Sequence, residues 1–222
     1  MYTPHYYLVL DLEATCCDDD SIPREESEII EIGAVLVPAA TLTIEAEFQS
    51  FVRPMRHRIL TPFCTKLTTI TQAEVAAAPR FPQAIAALAA FVRGKEFLFC
   101  SWGGYDRNQL RRDATHHRVK LPLGERHLNL KEAFSQRLGE PRQYGTGQAL
   151  RRLGLSFAGT QHRAIDDARN IARLLPFIVG AALSGGLGAF SAITRLSFAE
   201  PWRDVANQTD RATGLAGNAN HL

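Results

Sequence analysis

Tyr6–Thr15 reads YYLVLDLEAT, and Ile29–Val37 reads IIEIGAVLV. Tyr6–Asp11 is a short apolar run of β-formers that meets carboxylates at its end, and Ile29–Val37 is a second apolar run. Both read as strands, and Ile44–Val52, with partial alternation, reads as a third. The polar segment Asp18–Glu28 between the first two reads as a loop, so the three make an antiparallel meander. Further along, Phe97–Trp102 reads as a buried strand and Leu128–Leu130 as a short strand or bridge. Strands first, then a strand embedded among helices, predict an α/β fold: a mixed sheet flanked by helices.

The helices announce themselves by caps and periodicity. Thr61 and Thr71 each precede a helix start, and Glu74, three residues after Thr71, completes a capping box. Phe81–Arg93 carries Ile85, Leu88, Ala89 and Val92 at helical spacing. Asp106–His117 follows, then Lys131–Leu138 with Gly139 as a stop, and Gly147–Leu153 ended by Gly154. Asp166–Val179, with Ala168, Ile171, Ala172, Leu175 and Ile178 on one face, reads as the longest helix. From Ser197 the chain is small and polar, the composition of a flexible tail.

Composition excludes several classes. The 222 residues and 24.6 kDa suit one α/β domain, with 45% hydrophobic and 22% charged residues as in ordinary globular proteins. No apolar run reaches the roughly 18 residues that span a bilayer. The N-terminus has no basic segment and meets Asp11 early, unlike a signal peptide. Cys16, Cys17, Cys64 and Cys100 form no CxxC pair, which disfavours a zinc clip and suits free thiols in a reducing cytoplasm. The net charge of +2 hides an asymmetry. Asp11–Glu31 holds nine acids and one base, whereas Ser101–Arg173 holds fourteen Arg/Lys against seven Asp/Glu. An acidic segment beside a basic half fits metal ions held next to a polyanion; it also fits solvated charge.

Three constellations carry chemistry. In DLEAT, Asp11 and Glu13 are two apart on a strand and so point to one side. Carboxylates aimed together repel unless a cation lies between them, although two exposed acids at a strand end would also fit. In HRAIDDA (His162–Ala168), a continuous helix would set His162 and Asp167 about 140° apart. They share a site only if the helix starts after His162, with Asp166 and Asp167 in its first turn, where the dipole favours acids. That pairs a rigid metal-holding carboxylate with a mobile general base. In SWGGYDRNQL (Ser101–Leu110), Asp106 follows a strand end and a Gly103–Gly104 turn, placing a carboxylate at the sheet rim.

The order DxE, then Asp after a strand, then HxxxxD on the last core helix resembles the DEDDh (DnaQ-like) 3′–5′ exonuclease superfamily. His162, Ala164, Asp167 and Ala168 meet its HxAxxDA signature in full. Within it, FCTKLTTITQ (Phe63–Gln72), SWGGYDRNQL, HLNLKEAF (His127–Phe134) and the run Gly147–Leu175 look like the Eri-type exoribonucleases, which include bacterial KapD-type proteins. DLEATC departs from the DxET of many wider relatives, since Ala14 precedes Thr15, as in the Eri-type branch.

The resemblance implies a ribonuclease-H-like domain over residues 4–196, followed by the tail over 197–222; the first strand starts almost at Met1, which predicts no SAP-type nucleic-acid-binding module upstream. It implies two Mg²⁺ or Mn²⁺ ions held by Asp11, Glu13, Asp106 and Asp167, with His162 activating water. The partner is nucleic acid with a free 3′ end, RNA favoured, and Thr15, Leu67, Thr68 and Trp102 line the terminal-nucleotide pocket. Tyr144, Arg107, Arg151 and Arg163 are further candidates for substrate contact. A DNA exonuclease and a non-catalytic regulatory binding protein on the same fold are the alternatives.

Overall fold

The computed structural model describes residues 4–180. The continuation to residue 196 and the tail from 197 lie outside the described residues. Five strands form one sheet: β1 (Tyr6–Ala14), β2 (Ile29–Pro38), β3 (Ala46–Phe51), β4 (Phe97–Ser101) and β5 (His127–Asn129), in the order β3-β2-β1-β4-β5. β1–β2 and β2–β3 are antiparallel, while β1–β4 and β4–β5 are parallel. The mixed sheet and its meander follow the expectation. β1 runs three residues beyond Asp11, so both acids of DLEAT are strand residues.

Among the described residues eight α-helices flank the sheet: α1 (Pro62–Thr68), α2 (Gln72–Ala77), α3 (Phe81–Phe91), α4 (Tyr105–His117), α5 (Leu130–Leu138), α6 (Thr146–Arg152), α7 (Ala164–Ala172) and α8 (Leu175–Val179). Thr61 caps α1 through its side chain, and Thr71 with Glu74 closes the capping box on α2. Gly139 ends α5 in the left-handed conformation that glycine adopts without strain.

The segment expected as one long helix over Asp166–Val179 is two. α7 begins two residues earlier and stops at Ala172, and α8 starts at Leu175. Pro176 explains the break: it lacks an N–H, and its ring collides with the carbonyl of residue i−4 in a continuous helix. Among the described residues the longest helix is α4.

The strand alternation builds two cores. Leu8, Leu10 and Leu12 of β1 face Phe81, Ile85 and Leu88 of α3 and Leu110 and Ala114 of α4. Tyr7 and Val9 point the other way, toward Ile165, Ala168 and Ile171 of α7 and the α5 and α8 layer. Asp11 and Glu13 continue the Tyr7–Val9 row and therefore face α7. Because β1 and β4 are parallel, DLEAT and the SWGGYD turn open at the same edge of the sheet. Among the described residues, no helix is long and apolar enough to cross a membrane.

Candidate active site

Four residues form a square on the α7 face of the β1–β2 hairpin. Asp11 pairs in register with Gly33, and Glu13 with Glu31, just before a register shift between Glu13 and Ala14. A Cβ on Gly33 would lie 2.2 Å from the Ala164 carbonyl carbon, so only glycine lets the start of α7 rest on β2 here. Glu31 is fully buried and accepts the Ala164 N–H at 3.1 Å, the Arg163 Nε–H at 3.2 Å and the Gln49 Nε2–H at 2.6 Å. Glycine and glutamate together fix where α7 begins, and hence where Asp167 sits.

Asp11, Glu13 and Asp167 each offer a carboxylate oxygen, all within 4.8 Å of one another. Asp106, in the first turn of α4, is buried at the same edge, and its charge acts on Asp11. Burial first, then the charges of Asp106, Asp167, Glu13 and Glu31, holds the Asp11 carboxyl well above the usual carboxylate range. Burial, then Asp167, Glu31 and Asp106, does the same to Glu13. Asp106 is pushed up to about 7, chiefly by burial, against hydrogen bonds from its own N–H, Ser101 and Leu12. Asp167 also rises to about 7, chiefly by burial, against N–H bonds from His162 and Arg163. Among the described residues no Lys or Arg forms an ion pair with any of the four. Four converging acids with no positive partner are a donor set for hard divalent cations, which take carboxylate oxygen.

His162 stands outside α7, as its spacing from Asp167 requires. It has a left-handed backbone (φ 59°), and its N–H donates to Asp167 Oδ2 at 2.8 Å. Burial lowers its pKa below the usual 6.5, which favours the neutral base. Ser101 Oγ lies 2.8 Å from His127 Nε2 and donates to the Gly103 carbonyl, bracing the turn that presents Asp106.

The expected substrate contacts sit close by but are engaged in the fold. Thr15 is buried, and its hydroxyl accepts the Glu28 N–H. Thr68 is buried, with its hydroxyl donating to Cys64 O and accepting from Ile70 N. Leu67 is half-buried beside it. Trp102 is half-buried, donates to the Tyr144 carbonyl at 2.9 Å and packs on Phe134 with ring centroids 5.8 Å apart. Tyr144 is buried against Phe134, and Arg163 is held by Glu31.

A profile of the exonuclease family matches residues 8–175. The chain belongs to that exonuclease family. It is of the DEDDh superfamily and the Eri-type branch. This exonuclease is 33% identical to ERI1 exoribonuclease 3 of Mus musculus over 77% of its own length and 52% of the relative's. It is also 33% identical to 3′-5′ exoribonuclease 1 of Homo sapiens, over 76% and 51%. The chain thus spans about half the length of the curated relatives it matches. Among solved structures, the nuclease domain of 3′hExo, a DEDDh family member bound to rAMP, superposes with a TM-score of 0.76 at 29% identity. That match covers 90% of this exonuclease and 98% of the 3′hExo domain.

Glu31 and Gly33 escaped the sequence reading because IIEIGAVLV reads as a uniform strand. The available signal was an acid inside an apolar run: Glu31 repeats, on the neighbouring strand, the DxE problem of a carboxylate with no surface to reach.

Proposed function

We propose that this exonuclease removes nucleotides one at a time from single-stranded RNA 3′ ends, releasing nucleoside 5′-monophosphates. The observation that carries the reading is the convergence of Asp11, Glu13 and Asp167 within 4.8 Å, with Asp106 and His162 at the same sheet edge. The preference for RNA rests on relatives whose names are those of exoribonucleases.

Asp11, Glu13 and Asp167 would hold one divalent ion, with Asp11 shared, and Asp106 would hold the second; Mg²⁺ or Mn²⁺ suits these oxygens. Such ions, when bound, supply positive charge to the phosphoryl oxygens and acidify water. The rest falls to the chain's own groups. His162 is neutral at working pH and takes the proton of the attacking water on a ring nitrogen. Asp167 accepts the His162 backbone N–H, which fixes the backbone that carries the base beside the carboxylate. Glu31 and Gly33 set the height of α7 above β1. Leu67 and Trp102 offer partly exposed apolar surface for the terminal base.

Matched 3′-end-labelled RNA and DNA oligomers, with and without EDTA, test the reading. Metal-dependent release of labelled mononucleotide, faster from RNA, is expected. Internal fragments from a circular strand would refute exonuclease action, and preference for DNA would make it a DNA exonuclease.

A further inference from the structure

Away from the acid cluster, a groove of about 300 Å³ lies between the 53–59 loop and α2. Arg53, Arg58 and Arg80 line it with Met55, Ile59 and Gln72, and no carboxylate is among its lining residues. The three arginines are exposed, and Ile59 is 74% exposed, the most of any large hydrophobic residue described.

This surface is built rather than incidental. The loop backbone wraps the buried Glu28 carboxylate with the N–H groups of Met55, Arg56 and His57 at 2.7–2.9 Å. The Arg53 N–H donates to Pro79 O, and Arg58 Nε–H to Met55 O. Among the described residues no acid pairs with Arg53, Arg58 or Arg80. Like charges converging on one rigid groove repel unless an anion lies among them. The loop also reaches the catalytic edge: Thr61 Oγ1 donates to Cys16 O at 2.6 Å, two residues past the end of β1, and Leu60 N–H to Gln72 Oε1.

We propose that this groove grips phosphates of the substrate strand upstream of its 3′ end, with Ile59 as an apolar platform for a base. The inference rests on the exonuclease reading. A strand whose 3′ end is fixed at the acids must leave across the neighbouring surface, and arginines with an exposed apolar residue are how single strands are tracked.

The test compares wild type with the Arg53→Gln/Arg80→Gln double variant on a long RNA oligomer and on a dinucleotide. KM for the oligomer should rise about tenfold, as for loss of a charge-assisted contact, with dinucleotide kcat and KM unchanged. The slope of log affinity against log salt for a labelled oligomer, read by anisotropy in EDTA, should fall by about 0.7 per arginine. Normal cleavage with no length-dependent change in KM overturns the groove. So does arginine-dependent binding of poly-glutamate tighter than that of RNA, which would assign the surface to an acidic protein. Arginine-dependent RNA binding by a wild type that cleaves nothing overturns the exonuclease reading and leaves the groove standing.

Discussion

The acidic stretch between Asp11 and Glu31 meets two fates in the fold. Glu28 is nearly fully buried, yet three backbone N–H groups saturate its oxygens, and Glu31 is satisfied by Arg163, Gln49 and the Ala164 N–H. Asp11 and Glu13, a few ångströms away on the neighbouring strand, have other acids and no cation. Glu28 and Glu31 are surrounded by donors, while Asp11 and Glu13 are left among other acids, the pattern expected of carboxylates that take a cation. The difference lies in the surroundings, for all four belong to one β1–β2 hairpin and the loop that joins it.

The contrast breaks most decisively at Asp167→Asn or Asp11→Asn. Either should lower turnover by about a thousandfold or more, since charge on the metal-holding oxygens is lost. The melting temperature of the metal-free protein should hold or rise, because repulsion is relieved. Ordinary Mg²⁺-dependent cleavage by either variant would take that residue out of the unanswered group.

His162→Ala sharpens the picture from the base's side. A loss of about 10²–10⁴ in rate is expected, with Mn²⁺ binding by calorimetry intact. The wild-type rate should climb with pH through a value below 6.5, as burial dictates, and the variant should lack that limb. Loss of Mn²⁺ binding instead would make His162 a ligand.

The saturated acids should respond in stability first. Glu31→Ala strands a partly buried guanidinium and the Ala164 N–H, and we expect about 3 kcal/mol of lost stability in urea unfolding. Glu28→Gln keeps one acceptor and should cost about 1–2 kcal/mol, with kcat unchanged. If Glu28→Gln abolishes turnover in a folded protein, the division between the two kinds of acid fails.

The last effect is on pH and stability. Asp106 and Asp167 titrate near 7 in the fold, against 3.8 unfolded. Between those values the native state keeps protons that the unfolded chain has released, so stability falls as pH rises through that window. The metal-free protein should melt at a lower temperature at pH 8 than at pH 5, and saturating Mg²⁺ should remove the difference in a calorimetric scan.

Much of this was legible in the residues. Apolar runs such as Ile29–Val37, the Thr71–Glu74 box and the stop at Gly139 report local chemistry, and each appears within a residue or two of its expected place. The 140° disparity between His162 and Asp167 correctly put the helix start after the histidine. Pro176 was visible too, and weighing it against the apolar stripe would have divided α7 from α8. What local reading could not supply was pairing across distance. That Gly33 lies opposite Asp11 and beneath Ala164 depends on a strand register and a helix landing. That Thr15 and Thr68 spend their hydroxyls on backbone depends on loops meeting far along the chain.

The close landing of Ala164 on Gly33 has a consequence for how this enzyme comes into being. Asp11, Glu13 and Asp106 emerge from the ribosome well before Asp167, and the surface that receives α7 exists only once the first hairpin has formed. Contacts of such long sequence separation form late. A nascent chain therefore lacks Asp167 and His162 until its last third has been translated, so under the proposed reading an unfinished chain cannot cleave the RNA that encodes it.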